Sequence, residues 1–261
     1  MAGKTLNGRS RTLATLAVGV VVGGAVAGGG FAVADSSVPK TDRQITNMTD
    51  EVSKIKAYYG DTVDAKGEHW ASPDSNYAIQ VRGIENKAQK YLESKAKHER
   101  GVKKAIVLDV DDTSLSTYNY ELETTFVYNP ASNAQYIATK TMPAVFGMNT
   151  LATWAEQHGY TVFYVTGRPE TQRAATAANL AAVGFPKADE AHLFLKNTVT
   201  PPSYLPCGKT CTVIQYKSGT RAHIESLGYR IVANFGDQYS DLSGGYAEKT
   251  YKIPNPMYYL P

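Results

Sequence analysis

Four short apolar runs punctuate the chain from residue 104 onward: Ala105–Val110, Thr161–Val165, His192–Leu195 and Tyr229–Phe235. Between them lie amphipathic stretches, Ala144–His158, Glu170–Val183 and Ser218–Leu227, followed by Gly159, Gly184 and Gly228. Glycine there suits the left-handed turn that closes a helix. Short apolar runs alternating with amphipathic helices predict a parallel sheet with helical crossovers. Upstream, "NYAIQVRGIENKAQKYLESKAKHERG" places Ile79, Ile84, Ala88, Tyr91 and Leu92 at near-helical spacing and stops at Gly101, so residues 35–103 read as helices packing on something larger. The stretch Ser114–Pro143 is long for a strand-to-helix connection and predicts an insertion over the sheet end. Three prolines in "YKIPNPMYYLP" predict an extended tail across the surface. The fold class is therefore α/β: a Rossmann-like parallel sheet flanked by helices over 104–261, with N-terminal helices and a small cap at about 114–143.

The first segment stands apart. Lys4, Arg9 and Arg11 precede an uncharged stretch, Thr12–Ala34, that closes on Ala32-Val33-Ala34. This is the pattern of a signal peptide over 1–34 cleaved after Ala34, and it predicts export. An uncleaved anchor is the alternative, because the run is long enough to span a bilayer, although Gly28-Gly29-Gly30 make a poor helix end to end. No later segment looks transmembrane. Losing residues 1–34 removes three positive charges and no negative ones, taking the formal net charge from +3 to zero. That argues against nucleic-acid binding through bulk charge. Cys207 and Cys211, in "CGKTC", are the only cysteines. Outside the cell an even count reads as a disulfide, and two cysteines without a nearby His or Cys are too few for structural zinc. The spacing is not C-x-x-C, which weakens a redox reading.

The chemistry concentrates where the apolar runs end. In "AIVLDVDDTSLS" Asp109, Asp111 and Asp112 put three carboxylates within four positions. Such charges repel, and a buried carboxylate without a partner is costly, so something positive is expected there. Ligands of open parallel sheets sit at the carboxyl ends of the strands. The second run delivers Thr166, Gly167 and Arg168, and the last delivers Asp237 with Asp241 four residues on. Lys217, read as opening a helix in "YKSGTRAHIE", is a cation where a helix's first turn disfavours one, which suggests an anion such as phosphate nearby. The carboxylates suit a hard divalent cation with oxygen ligands, most naturally magnesium.

In order, "DVDDT", the threonine of "VTGR", the lysine of "YKSGTR" and "GDQYSD" resemble the four motifs of the haloacid dehalogenase superfamily of phosphotransferases. The forms "DVDDT", "YKSGTRAHIESLGYRIVANFGDQYSDL" and "KIPNPMYY" are further similar to its secreted acid phosphatase branch, which includes class B type and lipoprotein acid phosphatases and plant vegetative storage proteins. No lipid-accepting cysteine lies near the cleavage site, so lipoprotein anchoring is not implied. The resemblance implies that Asp109 attacks phosphorus and that Asp111 carries the proton to and from the leaving group and water. Neighbouring carboxylates are expected to raise the pKa of Asp111 and to give an acidic pH optimum. Magnesium is expected on Asp109, the backbone carbonyl of Asp111 and Asp237, with Asp241 in support. Thr166, the following amide of Gly167 and Lys217 are expected to bind the phosphoryl oxygens. Asp112 is left to orient the loop, and Arg168 to bind substrate or to pair with Glu170.

The implied function is an exported, magnesium-dependent acid phosphatase that hydrolyses small phosphomonoesters through an aspartyl-phosphate. A non-catalytic storage or phosphate-binding protein on the same fold is the alternative, which the intact Asp109, Asp111, Lys217 and Asp237 disfavour. Dehalogenation needs neither the Asp111 acid nor the acidic cluster. His158, His192 and His223 read as helix-end, strand-start and helix-surface residues. Tyr118, Tyr120, Phe126, Tyr128 and Tyr136 either stack a leaving group or pack the insertion onto the core.

Overall fold

The computed structural model describes residues 39, 41–98, 101–139 and 142–260, so the expected signal and its cleavage after Ala34 lie outside the described residues. The chain divides at Ile45/Thr46. Before the division the described residues hold one 3-10 turn, Asp42–Gln44; the elements after it form one compact unit.

Helix α1 (Met48–Tyr59) starts at Asn47, whose side chain accepts from the Thr49 N–H, and stops at Gly60 in left-handed conformation. A two-stranded hairpin, β1 (Thr62–Val63) and β2 (His69–Trp70), leads to α2 (Asn76–His98). Strand β3 (Lys103–Leu108) is followed by α3 (Tyr118–Glu123), α4 (Pro130–Thr139) and α5 (Met148–Gln157). Then come β4 (Tyr160–Pro169), α6 (Arg173–Ala182), β5 (Leu193–Lys196), α7 (Val213–Ser226), β6 (Tyr229–Gly236), α8 (Tyr239–Leu242) and β7 (Lys249–Lys252).

The five strands after α2 form one parallel sheet in the order β5-β4-β3-β6-β7. The chain runs outward from β3 through β4 to β5, then returns to the other side of β3. The switch point therefore lies at the carboxyl end of β3, where parallel sheets open a crevice for ligands. Side-chain alternation splits the core between two faces. Ile106, Leu108, Val162 and Tyr164 pack in the cluster that also holds Val81, Leu92, Leu151 and Ala155 of α2 and α5, while Ala105, Val107, Phe163 and Val165 pack with Tyr216 and Ile224 of α7. A strand covered on both faces must be apolar at every position, which is why the four runs were legible.

Three expectations need correction. Ile79 is 57% exposed; the buried stripe of α2 is Tyr77, Val81, Ala88 and Leu92, and Ile79 lies off it in helical phase. The tail does not simply cross the surface: β7 adds to the sheet and Tyr251, Ile253 and Met257 are buried. "KTYK" is polar and escaped the apolar-run pattern because only Tyr251 faces inward. Helix α7 begins at Val213, with Thr212 and Gln215 forming a reciprocal capping box, so Lys217 stands in its second turn. The insertion after β3 is helical, its α3 packing against β2 and its α4 against α6.

Candidate active site

The apolar β3 ends in Asp109, whose N–H donates to the Phe235 carbonyl of β6 at 3.0 Å. Beyond Val110 the backbone turns sharply, with Asp112 at φ 50°, a conformation aspartate tolerates better than most residues. The buried Asp112 carboxylate accepts from the Thr117 N–H at 2.9 Å, the Thr117 hydroxyl at 2.5 Å and the Tyr258 hydroxyl at 2.8 Å. Ser114 Oγ donates to the Asp109 carbonyl at 2.6 Å. Asp112 thus organises the loop that presents Asp109 and Asp111.

Lys217 reaches from α7 and donates from Nζ to Asp109 Oδ1 and Asp241 Oδ1, each at 2.5 Å, with its side chain 5% exposed. Asp241 Oδ2 accepts from the Gln238 N–H at 2.8 Å. Gly236 permits this approach, since a Cβ there would lie 2.3 Å from the Asp241 Cβ. Asp237 accepts from Gln238 Nε2 and Asn255 Nδ2, both at 2.7 Å, and from the Thr113 hydroxyl at 3.3 Å. Asp109, Asp237 and Asp241 each offer an oxygen, all within 4.8 Å of one another.

The other side of the site is built by β4. Leu108 pairs with Tyr164 in register, so Thr166 stands at the same sheet edge, 1% exposed. Its hydroxyl accepts from the Arg168 N–H at 3.1 Å, and Gly167 between them is exposed. The Arg168 side chain takes a partner other than Glu170. It forks onto Asp111, Nη2 to Oδ1 at 2.6 Å and Nε to Oδ2 at 3.0 Å, while Nη1 donates to the Thr176 hydroxyl at 3.0 Å. Glu170 pairs with Arg173 instead. The sequence reading missed the Arg168–Asp111 pair, as it did Asn255 and Tyr258; no motif spacing signals contacts 57, 18 and 146 residues apart.

Burial dominates the electrostatics. It pushes the Asp109 carboxyl upward, with Lys217 opposing and Asp241, Asp237 and Asp111 adding. Asp237 is raised to about 7 by burial and by Asp241 and Asp112, against the amide bonds of Asn255 and Gln238. Asp112 is likewise raised to about 7 by burial, opposed by its Thr117 and Tyr258 bonds. For Lys217 burial works downward, but Asp109 and Asp241 outweigh it and hold the ammonium above its usual value. Glu121 of α3 is raised to about 7 by burial and by the charge of Asp111.

Cys207 and Cys211 are joined as a disulfide just before α7. His158 caps the end of α5, His192 precedes β5 and pairs with Asp189, and His223 stacks on Tyr204. Tyr118 stacks on Tyr59, and Tyr120 packs on Tyr136, so these insertion aromatics are core; Tyr128 is 66% exposed.

At the switch point of this parallel sheet a buried ammonium, Lys217, bridges Asp109 and Asp241 within a cluster of carboxylates that could hold a cation. The family model for "HAD superfamily, subfamily IIIB (Acid phosphatase)" matches residues 35–261, and the chain belongs to that family. Acid phosphatase 1 of Solanum lycopersicum is 31% identical over 216 residues, 81% of this chain and 80% of that protein. Vegetative storage protein 1 of Arabidopsis thaliana is 31% identical over 159 residues, 59% of this chain and 55% of that protein. Among solved structures, the class C acid phosphatase from Bacillus anthracis superposes with a TM-score of 0.59 at 24% identity, covering 81% of this chain and 86% of that one. The chain is a phosphomonoester hydrolase of the acid phosphatase type.

Proposed function

We propose that this acid phosphatase is exported, requires magnesium and hydrolyses small phosphomonoesters through a phosphoryl-enzyme on Asp109. The observation that carries the reading is the Asp109 carboxylate, fixed at the end of β3 by Lys217 inside a buried cluster of three carboxylates.

A divalent ion fits that cluster. Three carboxylates and one ammonium leave a formal charge of −2 in a buried space, and burial with the neighbouring carboxylates lifts Asp109, even against Lys217, and Asp237. Asp109, Asp237 and the Asp111 carbonyl would hold the ion, with Asp241 behind them tied to Lys217 and the Gln238 N–H. When bound, magnesium offsets the repulsion between an anionic nucleophile and an anionic phosphoryl group.

The chain's own groups carry the reaction. An Asp109 oxygen bonds to phosphorus as the bond to the leaving oxygen breaks, and Asp111 donates its proton to that oxygen. Asp111 then takes a proton from water, whose oxygen displaces Asp109 from phosphorus and releases phosphate. Lys217 spends two of its three N–H donors on Asp109 and Asp241. The third, with the Thr166 hydroxyl and the Gly167 amide, is left for the phosphoryl oxygens. Arg168 keeps Asp111 at the mouth, where the side chain is 30% exposed.

The amino-terminal charge and apolar pattern and the Cys207–Cys211 disulfide support export. Among the described residues no helix is long and apolar enough to cross a membrane. The test is phosphate release from an aryl phosphate at acidic and neutral pH, with magnesium and with chelator, beside Asp109→Asn. Metal-dependent turnover lost in the variant is expected. A folded, magnesium-binding protein without turnover in any condition would overturn the general phosphatase reading in favour of a storage or binding role.

A further inference from the structure

The C-terminal strap reaches into the site at a point no catalytic motif marks. Ile253 and Asn255 each precede a proline, which disfavours helical backbone and keeps the strap extended. The Ile253 N–H donates to the Gly236 carbonyl at 2.8 Å, so the strap leaves the sheet beside Asp237. Asn255 Oδ1 accepts from the Met257 N–H at 2.8 Å. That turn fixes which end of the amide faces inward: Nδ2 donates to Asp237 Oδ2 at 2.7 Å. Gln238 Nε2 reaches the same oxygen at 2.7 Å, and Gln238 Oε1 is itself held by the Leu260 N–H at 3.0 Å. Both amides on Asp237 are therefore anchored by residues 253–260. Among the described residues the other carboxylate oxygen, Oδ1, has only the Thr113 hydroxyl at 3.3 Å.

We propose that Asn255 is a positioning residue for Asp237: together with Gln238 it saturates Oδ2, fixes the carboxylate's rotation and leaves Oδ1 to bind a divalent cation, which makes the C-terminal strap part of the metal site. The inference rests on the reading of Asp237 as a cation ligand. Groups that orient a metal ligand commonly set metal affinity by about 10- to 100-fold.

The experiment is calorimetric titration of magnesium into the folded, chelator-stripped protein, with the melting temperature in chelator as a folding control. Asn255→Ala and Asn255→Ser are compared with wild type and with Tyr258→Phe. The serine keeps a side-chain oxygen for the Met257 N–H but is too short to reach Asp237, so it preserves the turn if the alanine variant does not fold. Tyr258→Phe loosens the same strap at Asp112 and leaves Asp237 alone. The expected result is a loss of magnesium affinity of about tenfold or more in the Asn255 variants and less than about threefold in Tyr258→Phe. An Asn255 variant binding within about threefold of wild type, or losing no more than Tyr258→Phe, overturns the inference. Wild-type protein that binds no magnesium overturns the reading of the cation site, and the inference falls with it.

Discussion

Asp109 and Asp111 stand two residues apart and occupy opposite surroundings. Asp109 is 6% exposed, tied through its backbone to β6 and through its carboxylate to Lys217. The Asp111 side chain is 30% exposed and is gripped from the other side by Arg168. Strict strand alternation would place residues 109 and 111 on one face, but β3 ends at Leu108 and the backbone turns through Asp112 at φ 50°, so the two carboxylates meet different partners, Lys217 and Arg168. The difference matches the two tasks: a nucleophile gains from immobility and exclusion of water, whereas a proton carrier must meet leaving groups and then solvent.

The comparison breaks most severely at the nucleophile. Asp109→Asn is expected to lower turnover on the order of 10⁴-fold or more while the protein stays folded, read from phosphate release and melting temperature. Asp111→Asn should cost roughly 10²- to 10⁴-fold on an alkyl phosphate and distinctly less on a nitrophenyl phosphate, whose leaving group needs little protonation. Equal losses on both substrates would deny Asp111 the acid role.

Arg168→Met sharpens the contrast further. If Arg168 positions Asp111, kcat falls roughly 10²-fold with KM nearly unchanged; if it binds substrate, KM rises instead.

The buried carboxylates make a stability prediction of several degrees. Asp112 and Asp237 are raised from 3.8 to about 7 in the folded protein. A raised carboxylate binds its proton more tightly when folded, so its contribution is complete below 3.8 and is lost as the pH rises through about 7. In chelator, the melting temperature should therefore rise as the pH is lowered from about 8 to about 5. Magnesium should raise it most at the alkaline end, where the carboxylates are ionised. The smallest effect is expected at the rim: Tyr128→Ala should change kcat/KM for small phosphates by less than about threefold, because its ring is mostly solvent-exposed.

The sheet was readable because β3, β4 and β6 are apolar on both faces, and their ends announced Asp109, Thr166 and Asp237 by position alone. Strand β7 was not, since an edge strand with one inward residue, Tyr251, carries no apolar run. Of the two grounds for Lys217, the "YKSGTR" resemblance and a helix's first turn, the second is faulty: the Thr212–Gln215 capping box sets the helix start four residues before it, so its placement owes nothing to a first-turn dipole and is explained by the pair of carboxylates it bridges. The partners that tune the site, Arg168 on Asp111 and Asn255 on Asp237, are tertiary contacts that local spacing does not encode.

The most direct test of the account is to trap the enzyme during turnover by rapid acid quench and to map phosphoryl adducts by peptide mass spectrometry. The account predicts a single acid-stable, hydroxylamine-labile adduct on the peptide containing Asp109, absent from Asp109→Asn. Turnover without an adduct on that peptide, under quench conditions that preserve a reference acyl-phosphate, would contradict a covalent role for Asp109.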